Sequence, residues 1–110
     1  MEFIIVHNLE CSEILWLESI IYCSAEGSYT RVFLNNGRSV FSSKNLAWFE
    51  KNINSKNFVR LHRSYILNLR FIAKVFKNES KVGLQTGEKI PLSKEKSDYL
   101  WSAIHQLRNN

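Results

Sequence analysis

The sequence lacks several features that would place it in common protein classes. Of its 110 residues only one is proline and four are glycine, and no Pro-rich linker, internal repeat or low-complexity segment divides it. No apolar run approaches the ~18 residues that a membrane-spanning helix needs. The apolar stretch 3–6 is too short for a secretory signal, and no positive residue precedes it. We therefore expect a single domain over residues 1–110 with a modest core.

Motifs for metal binding and catalysis are also missing. Cys11 and Cys23 have no metal-site spacing, and each lies in or beside a predicted strand, which favours reduced, partly buried thiols and a cytoplasmic location. The three histidines lie far apart in the sequence, and no nucleophile, base and orienting group can be assembled. The glycines form no phosphate-binding loop. We expect no enzymatic activity, no metal and no cofactor.

Charge of one sign is absent from two long segments. Residues 1–30 contain five glutamates and no lysine or arginine, so their net charge is −5. The rest of the chain holds all 15 basic residues against five acidic ones, and no acidic residue lies between Lys51 and Lys77. This asymmetry indicates a basic face that binds a polyanion. An anionic membrane would also fit, but no strongly amphipathic basic helix supports it.

Period-two apolar patterns bounded by turn residues predict a mainly β fold. Asn36-Gly37 is the strongest hairpin signal, and a loop over residues 25–28 carries Gly27. A second hairpin turns at 78–79, and Pro91 implies an edge strand or a strand end. Outside the basic stretch, strands are predicted at 3–7, 13–17, 20–24, 29–34, 39–41, 71–76, 81–85 and 88–92.

Two segments have helical periodicity. Ser42 or Ser43 can cap a first helix that runs to about residue 53. One face of this helix should be buried. That face carries Leu46, Phe49 and Ile53. Ser93 reads as the N-cap of a last helix that ends near Arg108. Its apolar positions are Leu100, Ala103 or Ile104, and Leu107.

The basic stretch 58–68 is the most informative segment. If it is extended, alternate side chains face opposite sides. One side would carry Val59, Leu61 and Tyr65. The other would carry Arg60, His62 and Ser64. Arg63 breaks the alternation, so we expect a turn or bulge that directs its side chain outward. The stretch could alternatively be a solvated edge strand whose positive residues prevent aggregation.

Three segments resemble one known family. Residues 58–68, FVRLHRSYILN, resemble the signature of LytTR-type DNA-binding domains, in which an F-x-R-x-H-R-S-[YF]-x-x-N pattern recurs. Residues 20–29 resemble the family's I-x-Y-x-x-A-x-G-N-Y segment, with Ser28 in place of Asn. Residues 87–94 resemble its G-x-x-I-P-L-S-R segment, with Lys94 in place of Arg. The three motifs occur in the family's order and cover most of the chain.

The resemblance implies a fold and a function. The fold would be an elongated stack of small antiparallel sheets, with one short helix between sheets and a C-terminal helix. The chain would be the output domain of a bacterial transcription regulator, often a response regulator of a two-component system, and would bind double-stranded DNA at specific sequences. Base contacts in the major groove are expected from Ser28, Arg63 and Lys94. Phosphate contacts are expected from Tyr29, Arg31, Lys44, Arg60, His62, Ser64, Ser93 and Lys96.

Several of these residues have alternative interpretations. Arg60 could pair with a carboxylate, and His62 and Ser64 could each bond nearby backbone. Ser28 could simply hold a turn. Lys94 could be an ordinary lysine of the first helical turn.

The resemblance also implies partners. Family members often carry an upstream receiver domain or membrane segment, which is absent from this chain, and usually bind direct repeats as pairs. The chain would then be an excised piece or a stand-alone member. Two alternatives remain open: an RNA-binding β module that stacks bases on Tyr29 and Phe33, and a basic protein-interaction domain.

Overall fold

Ten β-strands and two α-helices form within residues 2–109, the part of the chain that the computed structural model describes. The predicted domain ends at residues 1 and 110 lie outside the described residues. The strands are β1 (Phe3–His7), β2 (Ser12–Trp16), β3 (Ile20–Glu26), β4 (Tyr29–Leu34), β5 (Ser39–Ser42), β6 (Phe58–His62), β7 (Tyr65–Asn68), β8 (Ile72–Phe76), β9 (Lys81–Leu84) and β10 (Lys89–Pro91). The helices are α1 (Leu46–Asn52) and α2 (Lys94–Arg108).

The strands form three antiparallel sheets. β1 pairs with β2, the central sheet has the order β5-β4-β3-β7-β6, and the third sheet has the order β10-β9-β8. β10 is an edge strand, as Pro91 predicts, because proline has no N–H to donate to a second neighbour. The molecule measures 43 × 31 × 24 Å. The mainly β fold of small stacked sheets with two helices is therefore confirmed.

Two apolar cores lie on opposite faces of the central sheet. The first core is covered by the β1–β2 hairpin and α1, and it contains Phe49, whose side chain is fully buried. The second is covered by the three-stranded sheet and α2, and it contains the fully buried Leu100. Strand alternation supplies both cores at once: in β4, Val32 enters the first and Phe33 packs against the second. The central sheet is therefore buried on both faces.

The predicted Asn36-Gly37 hairpin is confirmed. The Leu34 N–H donates to the Arg38 carbonyl at 2.9 Å, and the Gly37 N–H donates to the Leu34 carbonyl at 3.1 Å. Gly37 has φ +89°, a backbone conformation that glycine adopts without the clash a Cβ would cause.

The first helix begins later than predicted. Its N-cap is Asn45, whose side-chain oxygen accepts a hydrogen bond from the Trp48 N–H at 2.9 Å. Ser42 is instead the last residue of β5, and its hydroxyl accepts from the Lys44 N–H at 3.1 Å. Serine and asparagine are about equally good N-caps, so residue preference did not distinguish them. The predicted buried face is confirmed at Leu46, Phe49 and Ile53.

Two smaller predictions were wrong. β3 continues through Glu26, so the predicted loop over residues 25–28 contains only Gly27 and Ser28. Cys11 is exposed rather than partly buried, because it closes the surface turn between β1 and β2, where its carbonyl accepts from the Asn8 N–H. Cys23 is fully buried, and burial raises the pKa of its thiol to about 12. This thiol stays protonated at neutral pH and packs as a small apolar group.

The last helix begins as predicted. Ser93 is its N-cap, accepting from the Lys96 N–H at 3.2 Å, and Glu95 lies in the first turn, where a negative charge is favourable. Leu100 is buried, and three further apolar side chains are half-buried against the second core. They are Ala103, Ile104 and Leu107.

Phe49→Ala tests whether α1 is anchored to the first core by this side chain. Because the ring is fully buried, its removal is expected to lower the free energy of unfolding by about 3–5 kcal/mol. Denaturant unfolding measures the change. Lys51→Ala, on the exposed side of the same helix, is the control and should change stability by less than about 0.5 kcal/mol. Equal effects of the two substitutions would contradict the assignment.

Candidate nucleic-acid interface

Two of the predicted contact turns lie side by side at one end of the central sheet. Gly27 and Ser28 connect β3 to β4, and Arg63 and Ser64 connect β6 to β7. Because β3 and β7 are antiparallel neighbours, the end of one lies beside the start of the other. The Ala25 N–H donates to the Ser64 carbonyl at 2.8 Å and joins the two turns directly. We call this end of the sheet the turn end.

The Ser28 turn is short and projects its side chain outward. Glu26 pairs with Tyr29 across it, leaving Gly27 and Ser28 as the two central residues. Gly27 has φ +63°, and a glycine of positive φ at the first central position is typical of the type II′ turns that suit two-residue hairpins. Ser28 is exposed.

The segment that leads from β5 into α1 also lies at the turn end. Thr30 pairs with Ser42, so the end of β5 is level with the start of β4. Lys44 follows in this segment and is exposed. The structure therefore brings three of the predicted contact regions to the turn end, those that carry Ser28, Lys44 and Arg63.

Arg60 holds the Arg63 turn in place. One guanidinium nitrogen of Arg60 donates to Glu50 Oε1 at 2.8 Å, and another donates to the Arg63 carbonyl at 2.7 Å. The Arg63 side chain itself is exposed, as the broken alternation of the sequence predicts. The anticipated carboxylate partner of Arg60 thus exists, and the guanidinium links α1 to the backbone of the turn.

His62 supports the same turn through a further hydrogen bond. The Ser64 N–H donates to His62 Nδ1 at 3.1 Å. This bond requires Nδ1 to be unprotonated, so a neutral His62 carries its proton on Nε2. The ring lies 5.5 Å from that of Tyr65. The structure thus shows the backbone interaction that was the alternative reading of His62.

Arg31 is also engaged within the protein. Its Nε donates to Glu26 Oε2 at 2.5 Å, another of its nitrogens donates to the Ser39 hydroxyl at 3.2 Å, and its guanidinium lies 5.0 Å from the centre of the Phe41 ring. Tyr29, the next predicted phosphate ligand, is exposed and packs beside Phe41. Of the predicted phosphate contacts, Arg31 and Arg60 are therefore held in ion pairs with glutamates.

Lys94 is carried by a different part of the fold. It is the first residue of α2 and is exposed, as are Ser93 and Lys96. The Lys96 ammonium lies 5.3 Å from the centre of the Tyr99 ring. α2 packs against β6, the strand that leads into the Arg63 turn. This packing relates Lys94 to the turn end through the second core.

Ion pairing divides the basic residues into two groups. Four ion pairs are present within residues 2–109: Arg31–Glu26, Arg38–Glu13, Arg60–Glu50 and Lys89–Glu79. The hydrogen bonds to Glu13 raise the pKa of Arg38. Lys44, Arg63, Lys94 and Lys96 belong to the second group, the basic residues that have no carboxylate partner within the same described residues. Their charge is available to an anion in solution.

Tyr22 is a buried residue of the second core. Burial is the main cause that raises the pKa of Tyr22 to about 12, with added repulsion from Glu88 and Tyr65. Its ring stacks on that of Phe33, with centres 4.4 Å apart, so Phe33, one of the two aromatics that an RNA-binding surface would use, packs against the second core. In the described part of the chain, no three His, Cys, Asp or Glu side chains converge as metal ligands would.

The described helices are all too short or too polar to cross a membrane.

The sequence did not identify three residues that hold the motif in place. Glu26 and Glu50 pair with the predicted phosphate ligands, and Asn68, the last residue of the 58–68 motif, is buried. The Asn68 amide donates to the Ile20 carbonyl at 2.9 Å, and its oxygen accepts from the Arg70 N–H at 3.0 Å. The sequence did contain a signal for this role: Asn68 is a polar residue at the end of an otherwise apolar strand. A polar side chain that is buried there requires hydrogen-bond partners.

Comparison with known proteins finds a matching family model and related regulatory proteins. A family model described as "LytTr DNA-binding domain" matches residues 10–105. The chain is 37% identical over 71 residues to the CO-responsive transcriptional regulator RcoM of Rhodospirillum rubrum, covering 64% of this chain and 30% of that protein. It is 28% identical over 91 residues to the sensory transduction protein LytT of Bacillus subtilis, covering 80% of this chain and 37% of that protein. The chain thus spans about a third of the length of these curated relatives.

A solved structure shares the fold. It is a LytTr DNA-binding domain from Bacillus cereus, with a TM-score of 0.77 and 20% sequence identity. The similarity covers 94% of this chain and 97% of the solved one. The arrangement of sheets and helices is therefore common to both.

His62→Ala and His62→Asn test the support of the Arg63 turn. Loss of the Nδ1 acceptor should weaken the turn by about 1 kcal/mol. Hydrogen exchange of the Ser64 amide, followed by NMR, should then be several-fold faster in the alanine variant. Asparagine can place its oxygen near the position of Nδ1, so it should restore much of the protection. His105→Ala, at an exposed position of α2, is the control. An unchanged exchange rate in His62→Ala would show that the bond does not hold the turn.

Proposed function

We propose that this chain, which belongs to the LytTr family of DNA-binding domains, binds double-stranded DNA at specific sequences as the output domain of a bacterial transcription regulator. Its two curated relatives are named as a transcriptional regulator and a sensory transduction protein. Two copies would bind direct repeats, and an upstream receiver or membrane sensor domain would control them in the whole protein.

The observation that carries the proposal is the Arg63 turn. Its side chain is exposed and has no carboxylate partner within residues 2–109, while the backbone of the turn is held by Arg60, His62 and Ala25. A cationic side chain on a fixed turn can enter the major groove, which is about 12 Å wide. There the Arg63 guanidinium would donate to guanine O6 and N7.

Ser28 and Lys94 would make the other base contacts, with less discrimination. A serine hydroxyl can donate to or accept from several bases, so it separates them weakly. A lysine ammonium is a single point of charge that lacks the planar fork of arginine.

The phosphate contacts would come from exposed or half-buried groups around these three residues. Their bonds would place the domain on the duplex without reading sequence. The proposed groups are Tyr29, Lys44, His62 through Nε2, Ser64, Ser93 and Lys96. Arg31 and Arg60 would act mainly by holding their turns, because glutamates already occupy their guanidinium groups.

The dependence of affinity on salt tests the electrostatic part of the proposal. Lys44, Arg63, Lys94 and Lys96, with neighbouring groups, are expected to neutralise roughly 4–8 phosphates, which gives a slope of log affinity against log salt on the order of −4 to −7. Fluorescence anisotropy with a labelled duplex measures it. A slope shallower than about −2 would mean that the basic face does not bind the duplex.

Substitutions at Arg63 and Lys94 separate specificity from affinity. Arg63→Ala is expected to cost about 1–3 kcal/mol on the preferred site and to relax preference at one base position. Lys94→Ala should relax preference at another position. Lys94→Arg should sharpen preference for a guanine there, because the charge is unchanged and the fork is restored. Selection from a random duplex pool reads out all three variants.

Lys51→Ala is the matched control for these substitutions. It removes one exposed positive charge from α1, so it should weaken binding to all sequences alike or have no effect. If Arg63→Ala and Lys94→Ala both recover the wild-type motif at full information content, the two residues contact only phosphate and the assignment of base contacts is wrong.

A further inference from the structure

An exposed apolar patch adjoins the Ser28 turn and is formed by Leu9, Tyr29 and Phe41. Leu9 is fully exposed, Tyr29 is 47% exposed and Phe41 is 43% exposed. The three side chains line one recess, together with His7, Asn8 and Ser43. Tyr29 directly follows Ser28, and Ser43 directly precedes Lys44, so the patch is continuous with the proposed DNA-binding surface.

Contacts within the protein hold the backbone of the Leu9 turn and the two rings of the patch. The Asn8 side chain accepts from the N–H groups of Glu10 and Cys11, both at 2.9 Å, which holds Leu9 at the tip of the turn. The rings of Tyr29 and Phe41 pack with their centres 5.2 Å apart. Little side-chain freedom in the two rings would be lost on binding, so the patch is suited to contact a partner.

Two of the three side chains of the patch, Leu9 and Phe41, carry no polar group that could bind phosphate. Arg31 lies over Phe41, but its guanidinium is already paired with Glu26. The Tyr29 hydroxyl is the only polar group on the three defining side chains. The Tyr29 hydroxyl can still contact phosphate, while Leu9 and the two rings would recognise a partner through apolar contact.

We propose that the Leu9, Tyr29 and Phe41 patch contacts the 5-methyl group of a thymine in the duplex beside the Ser28 turn. The thymine methyl is the one apolar group that a base pair presents in the major groove, and it distinguishes T·A from the other pairs. The short Ser28 side chain reads bases weakly, and this apolar contact supplies sequence preference beside it. The inference rests on the proposed function, since it requires duplex DNA at the turn end.

Deoxyuridine substitution tests the inference by removing only the methyl group. Each thymine of the selected site is replaced in turn by deoxyuridine, which pairs normally with adenine, and the dissociation constant is measured at fixed salt. At one or two positions the wild type is expected to lose affinity about fourfold per methyl group. Leu9→Ser and Phe41→Ser should abolish this difference between thymine and deoxyuridine.

Trp16→Ser is the matched control. Trp16 is also 43% exposed and packs on Phe3 with ring centres 5.2 Å apart, but this pair lies at the far end of β1–β2 from the turn that carries Leu9. This variant should keep the wild-type preference for thymine.

The outcomes separate this inference from the proposed function. Absence of salt-dependent binding to any duplex would overturn both. If a motif is selected but contains no thymine, or if deoxyuridine substitution never weakens binding to it, only the methyl contact is overturned. A deoxyuridine effect that survives in Leu9→Ser and Phe41→Ser would also overturn only that contact. Suppose that Leu9→Ser and Phe41→Ser lose the cooperative binding of two copies, while deoxyuridine has no effect on the wild type. The patch would then contact a second copy of the chain instead of DNA.

Discussion

The pairing of β3 with β7 is the constraint on which the rest of the structure depends. These two strands are adjacent in the middle of the central sheet, although some 40 residues separate them along the chain. Their pairing is secured at one end by the bond from the Ala25 N–H to the Ser64 carbonyl and at the other by the bond from Asn68 to the Ile20 carbonyl. Because the side-chain period of a strand is two, a slip of one residue would exchange the side chains of the two cores. The same register sets the Ser28 turn beside the Arg63 turn.

The features that sequence predicted well depend on neighbouring residues. The Asn36-Gly37 hairpin, the edge position of Pro91, the Ser93 cap and the buried face of α1 each follow from residues within one turn or one strand. The outward direction of Arg63 followed from broken alternation within five residues. The start of α1 was misplaced because Ser42, Ser43 and Asn45 are all competent caps, and the length of β5 decides between them.

The features that sequence could not predict depend on packing between distant elements. Arg60 meets Glu50 only because α1 packs across β3 and β7, and no local pattern reveals which glutamate will face which arginine. Their positive charge and the family resemblance made Arg31 and Arg60 candidates for phosphate contacts and Arg63 a candidate for a base contact. The three differ in their surroundings: two are bonded to carboxylates and one is not. The adjacency of the Ser28 and Arg63 turns likewise required the strand order, which periodicity does not give.

The ion pair of Arg60 with Glu50 matters more for geometry than for stability. Its two side chains are 27% and 53% exposed, and pairs this exposed typically contribute about 0–1 kcal/mol. Its structural effect is larger, because one planar guanidinium bonds both the Glu50 carboxylate and the Arg63 carbonyl. A lysine ammonium is a compact charge on a flexible stem and lacks the rigid fork that spans both acceptors. The basic stretch therefore contains two kinds of cation: Arg60 sets the position of the turn, and Arg63, whose backbone is thereby held, can use its charge on a partner.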